Sequence, residues 1–105
     1  VGGWAAPIDD ALAQADLVRA LSLPVVLVVG LRLGCLNHAA LTARAIAADG
    51  GTLAGWIVSE IEPDLPYRDA NLAWLERRLA APCWGVLPFR ADAEDADLSR
   101  FLSPL

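Results

Sequence analysis

The run Pro24-Val25-Val26-Leu27-Val28-Val29-Gly30-Leu31-Arg32-Leu33-Gly34-Cys35-Leu36-Asn37-His38 decides the fold. Pro24 to Val29 is an unbroken aliphatic, mostly β-branched stretch that opens on a residue tolerated only at the start of a strand. With no polar alternation, it reads as a strand apolar on both faces, as in a parallel sheet covered by helices on each side. Gly30 and Gly34 bracket a short loop with one cation, Arg32, and a helical pattern starts at Cys35. The loop therefore lies at the carboxyl end of a strand and the amino end of a helix. Open α/β sheets bind ligands at that position, and the free N–H groups of a first helical turn favour an anion.

Outward from that point, strands and helices alternate. A helix is expected over Asp10–Leu21, capped by Asp9 or Asp10, with Leu12, Ala15 and Val18 at helical spacing. A second helix runs from about Cys35 to Asp49, with Leu36, Ala39, Ala40, Ala43, Ile46 and Ala47 as its buried stripe. Gly50 and Gly51 stop it. Thr52 to Val58 reads as a strand in which Gly55 marks a bulge or a close approach. Ser59 to Pro66 reads as a polar loop. A third helix is expected over Tyr67–Ala80, with Leu72, Leu75 and Leu79 on the core side and Arg77 and Arg78 favourably placed at its end. Cys83 to Leu87 is a short strand, Ala91 to Ala96 an acidic loop, and Asp97 to Leu102 a last helical turn or two. This order predicts a three-layer α/β domain with a parallel sheet, incomplete at three strands and about four helices.

Composition narrows the function. Of 105 residues 56% are apolar, above the roughly 45–50% usual for globular chains, which suits a sheet buried on both sides. A net charge of −5 without a basic run argues against a nucleic-acid partner. No apolar run approaches the length of a membrane span, and no stretch reads as a signal peptide. Cys35 and Cys83 are far apart without metal-ligand spacing, so two separate thiols in a reducing, cytoplasmic setting are expected rather than a disulfide. The absence of methionine suggests a chain that does not start at its own initiation codon. All eight cations are arginine. A Walker-type phosphate loop needs its lysine, so none is contained here.

Four separated segments carry a resemblance. Gly2-Gly3-Trp4-Ala5-Ala6-Pro7-Ile8, then Leu23 to Ala39, then Leu53-Ala54-Gly55-Trp56-Ile57-Val58, then Ala81-Pro82-Cys83-Trp84-Gly85-Val86-Leu87-Pro88 follow one another in the order and spacing of a known family. The chain resembles the carboxyl-terminal half of the ATP-dependent dethiobiotin synthetases of biotin biosynthesis. The resemblance implies a homodimeric, P-loop-type ligase of which residues 1–105 are part of a single domain. It also implies a reaction: 7,8-diaminopelargonic acid, carbon dioxide and ATP, with magnesium, give a carbamate that is phosphorylated and closed into a ureido ring. The catalytic lysines and acidic metal ligands of the family fall outside the matched segments, so no catalytic or metal-binding residue is assigned here.

Binding residues do carry over. Gly2 and Gly3 correspond to glycines lining the diamino-acid site. Gly34, Cys35 and Asn37 correspond to the turn that holds the substrate's distal carboxylate across the dimer interface, and Asn71 stands where the family often has tyrosine near that carboxylate. On the nucleotide side, Ser59 and Glu60 fall where the adenine is gripped, with serine in place of the frequent asparagine. Pro88, Phe89 and Arg90 correspond to a second adenine-side loop, and Asp95 falls near an acidic nucleotide contact.

Plainer readings stand beside these. Cys35 reads as a packing thiol and His38 as a capping or interface residue. Trp4, Trp56, Trp74 and Trp84 read as core or interface anchors, and the acidic clusters as solvated loops. Arg32 reads equally as a carboxylate partner and as a solvated cation. Two rival functions remain on the sequence alone: another P-loop amide-forming ligase or regulatory relative, and a non-enzymatic dimerising module.

Overall fold

The computed structural model describes residues 2–92, 94 and 96–104. Its elements in chain order are α1 (Gln14–Ala20), β1 (Pro24–Leu31), α2 (Cys35–Ala48), β2 (Thr52–Glu60), α3 (Arg68–Arg78) and β3 (Cys83–Leu87), followed by a 3₁₀ turn, Ser99–Phe101. The strands form one parallel sheet in the order β1-β2-β3. Both crossovers step in the same direction, and the right-handed rule places α2 and α3 on the same face.

The packing agrees with that placement. Val29 and Leu31 of β1, Trp56 and Val58 of β2, Cys35 and Ala39 of α2, and Leu75 of α3 with Leu79 just beyond it form one buried cluster. A second, smaller cluster joins Trp4, Ala15 of α1 and Ile46 of α2, with Val18, Val25 and Leu53 against it. The opposite face of the sheet is open among the described residues, where Val28 is 61% exposed. The parallel α/β sheet is the expected one, but the described residues supply helices on one side only.

Trp56 is 1% exposed and anchors the central strand. Its indole N–H donates to the Ala81 carbonyl at 2.8 Å, and its backbone N–H donates to the Pro82 carbonyl at 3.1 Å. These two bonds fix the segment that leads into β3. Trp84 leans over Gly55, where a Cβ would lie 2.1 Å from its Nε1. The close approach expected at Gly55 is therefore real. So is the irregularity, since the register with β1 shifts from Val25–Leu53 to Val26–Gly55, leaving Ala54 as the extra residue. After the 3₁₀ turn, the chain bridges antiparallel from Leu102 to Gly85, and the Ser103 N–H donates to the Trp84 carbonyl at 2.6 Å. The tail thus lies along the outer edge of β3. A Cβ on Gly85 would meet the Phe101 carbonyl oxygen at 2.0 Å.

Three expectations need correction. The first helix starts at Gln14, not Asp10. The Asp9 carboxylate accepts the Ala11 and Leu12 N–H groups, both at 2.8 Å, and closes a tight turn before the helix. Asp16 caps that helix instead, reaching back to the Ala13 N–H at 2.8 Å. The second strand extends two residues further than expected, because Ser59 and Glu60 keep pairing with Gly30 and Leu31. The buried stripe of α2 is narrower, with Ala47 exposed.

Two outcomes check this packing. Gly55→Ala should cost about 1–3 kcal/mol in urea denaturation, the usual penalty for overfilling a packed site. Trp84→Val should recover most of that loss in the Gly55→Ala background, because the clash is with the indole. Additive losses in the double variant would place the strain elsewhere.

Candidate functional site

Parallel strands in register align their carboxyl ends. Gly30 pairs with Ser59 and Leu31 with Glu60, while Ser59 pairs with Leu87 on the other side. The loops that follow β1, β2 and β3 therefore lie side by side along one edge, the edge at which open α/β sheets bind ligands.

After β1 the chain turns at Gly34, whose φ of 92° is a left-handed conformation that glycine adopts freely. The Cys35 N–H donates to the Arg32 carbonyl and the His38 N–H to the Gly34 carbonyl, both at 3.1 Å. No side chain caps α2, so the amides of Leu36 and Asn37 are donors without a capping partner. A cleft of about 480 Å³ opens beside this turn, lined by Val28, Gly30, Arg32, Gly34, Cys35, His38 and Ile61 among others. Arg32 forms no ion pair among the described residues. A guanidinium, uncapped amides and an apolar wall make a place for a carboxylate with an aliphatic body.

At the ends of β2 and β3, Ser59 and Glu60 lie next to Pro88, Phe89 and Arg90. Ser59 offers a hydroxyl that both donates and accepts, and Phe89 is exposed. Two ion pairs order this rim. Glu60 receives Arg68 from the start of α3. Arg90 holds Asp92 through Nε to Oδ1 and Nη2 to Oδ2, both at 3.0 Å. The hydrogen bond from Arg90 is the main cause that sets the Asp92 carboxyl below its ordinary 3.8. Glu60 likewise holds Arg68 further into its charged form.

The structure gathers Gly34 and Cys35 at the cleft, and Ser59, Glu60, Pro88, Phe89 and Arg90 at the adjoining rim. It does not gather every candidate. Asn37 faces the neighbouring groove between α2 and α3, with Trp74 and Arg78. Asn71, half-buried in the first turn of α3, lines neither this groove nor the cleft. Gly2 and Gly3 adjoin Trp4, whose indole donates to Asp49 at 2.7 Å and packs on Gly51, at the end of the sheet where β2 starts. Asp95 lies outside the described residues. Arg68 and Ile61 were missed by sequence reasoning; the salt bridge links residues eight apart, with no local signal.

No group of three His, Cys, Asp or Glu side chains converges among the described residues. The magnesium implied by the resemblance therefore finds no ligand set in them. Cys35 and Cys83 are free thiols. No described helix is long and apolar enough to cross a membrane.

Comparison with known proteins gives the family. A protein-family profile described as "AAA domain" matches residues 1–97. The chain is similar to the ATP-dependent dethiobiotin synthetase of Xanthomonas oryzae pv. oryzae (strain PXO99A), at 62% identity over 96 residues, covering 91% of this chain and 43% of that protein. It is similar to the enzyme of the same name from Xanthomonas campestris pv. campestris (strain 8004), at 58% identity over 102 residues, covering 97% and 46%. The Xylella fastidiosa (strain 9a5c) protein of that name is 58% identical over 88 residues, covering 84% and 39%. The chain thus spans less than half the length of these relatives.

The Arg90–Asp92 pair has a measurable sign. A depressed carboxyl pKa contributes stability that is fully present above the ordinary 3.8 and is lost as pH falls through the lower folded value. An NMR titration of Asp92 should show a midpoint below 3.8, and Arg90→Gln should return it towards that value. A midpoint that does not respond to Arg90→Gln would remove Arg90 as the cause.

Proposed function

The chain belongs to the AAA domain family and is similar along nearly its whole length to ATP-dependent dethiobiotin synthetases; on that premise we propose that it is the carboxyl-terminal part of such an enzyme's single P-loop-type domain. The whole protein would then close the ureido ring of dethiobiotin from 7,8-diaminopelargonic acid and carbon dioxide, with ATP and magnesium. The observation that carries this reading is the strand register, which sets the carboxylate-type cleft after β1 beside the rim formed by Ser59–Glu60 and Pro88–Arg90. The two loops thus share one edge, the rim serving the nucleotide of this copy's site and the turn serving the carboxylate tail in the site of the partner copy.

The roles follow from the chemistry of each group. The turn at Gly34–Asn37 and Arg32 receive the distal carboxylate, as hydrogen-bond donors to an anion. Gly2, Gly3 and Asn71 stand apart from this edge and are assigned to the diamino-acid side of the whole protein's site only by the likeness to the family. Ser59, Glu60 and Pro88–Arg90 hold the base, with Asp95 contributing on the nucleotide side. Magnesium supplies charge neutralisation on the transferring phosphoryl group when bound. This chain has no lysine, so its own residues bind and orient while the phosphoryl-transfer groups come from the rest of the relatives' length. A homodimer acting in the cytoplasm completes the reading, since the carboxylate turn serves the site of the partner copy.

The purified whole protein should form dethiobiotin, detected by mass spectrometry, with phosphate release that depends on both diaminopelargonic acid and bicarbonate. Residues 1–105 alone should give none. Ser59→Ala should raise KM for ATP about two- to tenfold, the worth of one hydrogen bond, and leave KM for diaminopelargonic acid unchanged. A folded whole protein that releases no substrate-dependent phosphate would overturn the proposal and favour a dimerising module.

A further inference from the structure

Glu60 ends β2 with both carboxylate oxygens engaged. Arg68 Nε donates to Oε1 at 2.5 Å and Nη2 donates to Oε2 at 3.3 Å. The third arm of the same guanidinium, Nη1, donates to Asp69 Oδ1 at 2.7 Å. The Glu60 side chain is only 16% exposed, so its carboxylate meets this fork more than it meets water. Arg68 is the first residue of α3, directly after Tyr67, which takes a left-handed turn at φ 60°. The fork thus spans the loop between β2 and α3 and fixes which way the carboxylate presents itself.

We propose that Arg68 is a positioning residue that makes the nucleotide site favour adenine over guanine by occupying both oxygens of Glu60. The proposal rests on the reading of Ser59 and Glu60 as base contacts. Guanine offers two adjacent donors, N1–H and the exocyclic amine, and a free carboxylate is a two-point acceptor that matches them. Adenine offers one exocyclic amine beside N1, an acceptor that a free carboxylate repels. Ser59 cannot decide between the bases, because its hydroxyl donates or accepts as needed. The state of Glu60 therefore decides. With Arg68 in place, the charge is balanced and the two-point edge of the carboxylate is taken by the fork, leaving only single outer acceptor positions; guanine loses its two-point partner, while adenine keeps a one-point acceptor for its amine and loses the repulsion.

The test uses the whole protein and compares kcat and KM for ATP and GTP. Arg68→Met should lower the ATP-to-GTP ratio of kcat/KM about tenfold or more, the worth of a two-point contact to a base. The change should sit in the two KM values and not in kcat, which a general loosening of the fold would not produce. Arg68→Lys keeps the charge without the fork and should give an intermediate ratio. Glu60→Gln added to Arg68→Met should cancel the gain for GTP. An unchanged ratio in Arg68→Met, with a shifted ratio in Glu60→Gln, overturns the role of Arg68 and leaves the base-contact reading standing. An unchanged ratio in both variants overturns that reading and the proposal with it. If Arg68→Met does not fold, Arg68→Lys decides: an intermediate ratio supports the proposal and a wild-type ratio overturns it.

Discussion

The two bonds made by Trp56 hold the sheet in the register on which every other feature depends. One indole N–H and one amide N–H from the central strand reach the carbonyls of Ala81 and Pro82. They set where the chain leaves α3 and enters β3. A buried indole nitrogen usually finds a partner, and here that bond doubles as a spacer between two strands. The alignment of Ser59 with Leu87, and hence of the rim formed by Ser59, Glu60 and Pro88–Arg90, follows from it. Trp84 shows the contrasting case: its Nε1 is buried without a partner among the described residues, and it is placed by shape, over a glycine that leaves room for it.

Much of this was legible in the sequence wherever apolar pattern and turn chemistry agreed. Pro24 opening an aliphatic run, Gly50–Gly51 closing α2, and the leucines of α3 led to elements that the structure contains. The failures have specific causes. Asp9 has the chemistry of a helix cap, but its carboxylate is spent on the turn from Asp9 to Leu12, ahead of the helix that starts at Gln14. Ser59 and Glu60 have loop-like polarity, yet their backbone groups continue the ladder with β1, because pairing is decided by the neighbour strand and not by the side chain. The pairing of Arg68 with Glu60 depends on how the β2–α3 loop folds back, which no local pattern encodes. The turn after β1 was read as an anion-favouring position from the strand–loop–helix pattern itself, whereas the residues of the neighbouring rim were named only through the resemblance. Local sequence gives the loops but not their adjacency.

Electrostatics at the rim follow one habit. Each arginine near the ends of β2 and β3 is matched to acids close in the chain, Arg68 to Glu60 and Asp69, and Arg90 to Asp92. The exposed pairs with Asp69 and Asp92 add little to stability. Their effect is directional, since each guanidinium fork holds a carboxylate in a set plane. The cleft after β1 differs, with Arg32 outside any ion pair among the described residues and helix amides uncapped. The two halves of the candidate site are thus unlike, one presenting available positive charge and the other presenting charge already balanced.

The tail beside β3 has a consequence for how this sheet can grow. Leu102 and Ser103 take up backbone groups of Trp84 and Gly85 along the outer side of the last strand, whereas β1 has no strand on its outer side among the described residues. The sheet is therefore polar in the sense of a zipper with one end stitched. A further strand can be added beside β1 but not beside β3 without first lifting the tail. Whatever completes the layer must approach from the β1 side, and an unpaired β1 is where self-association of this chain would begin.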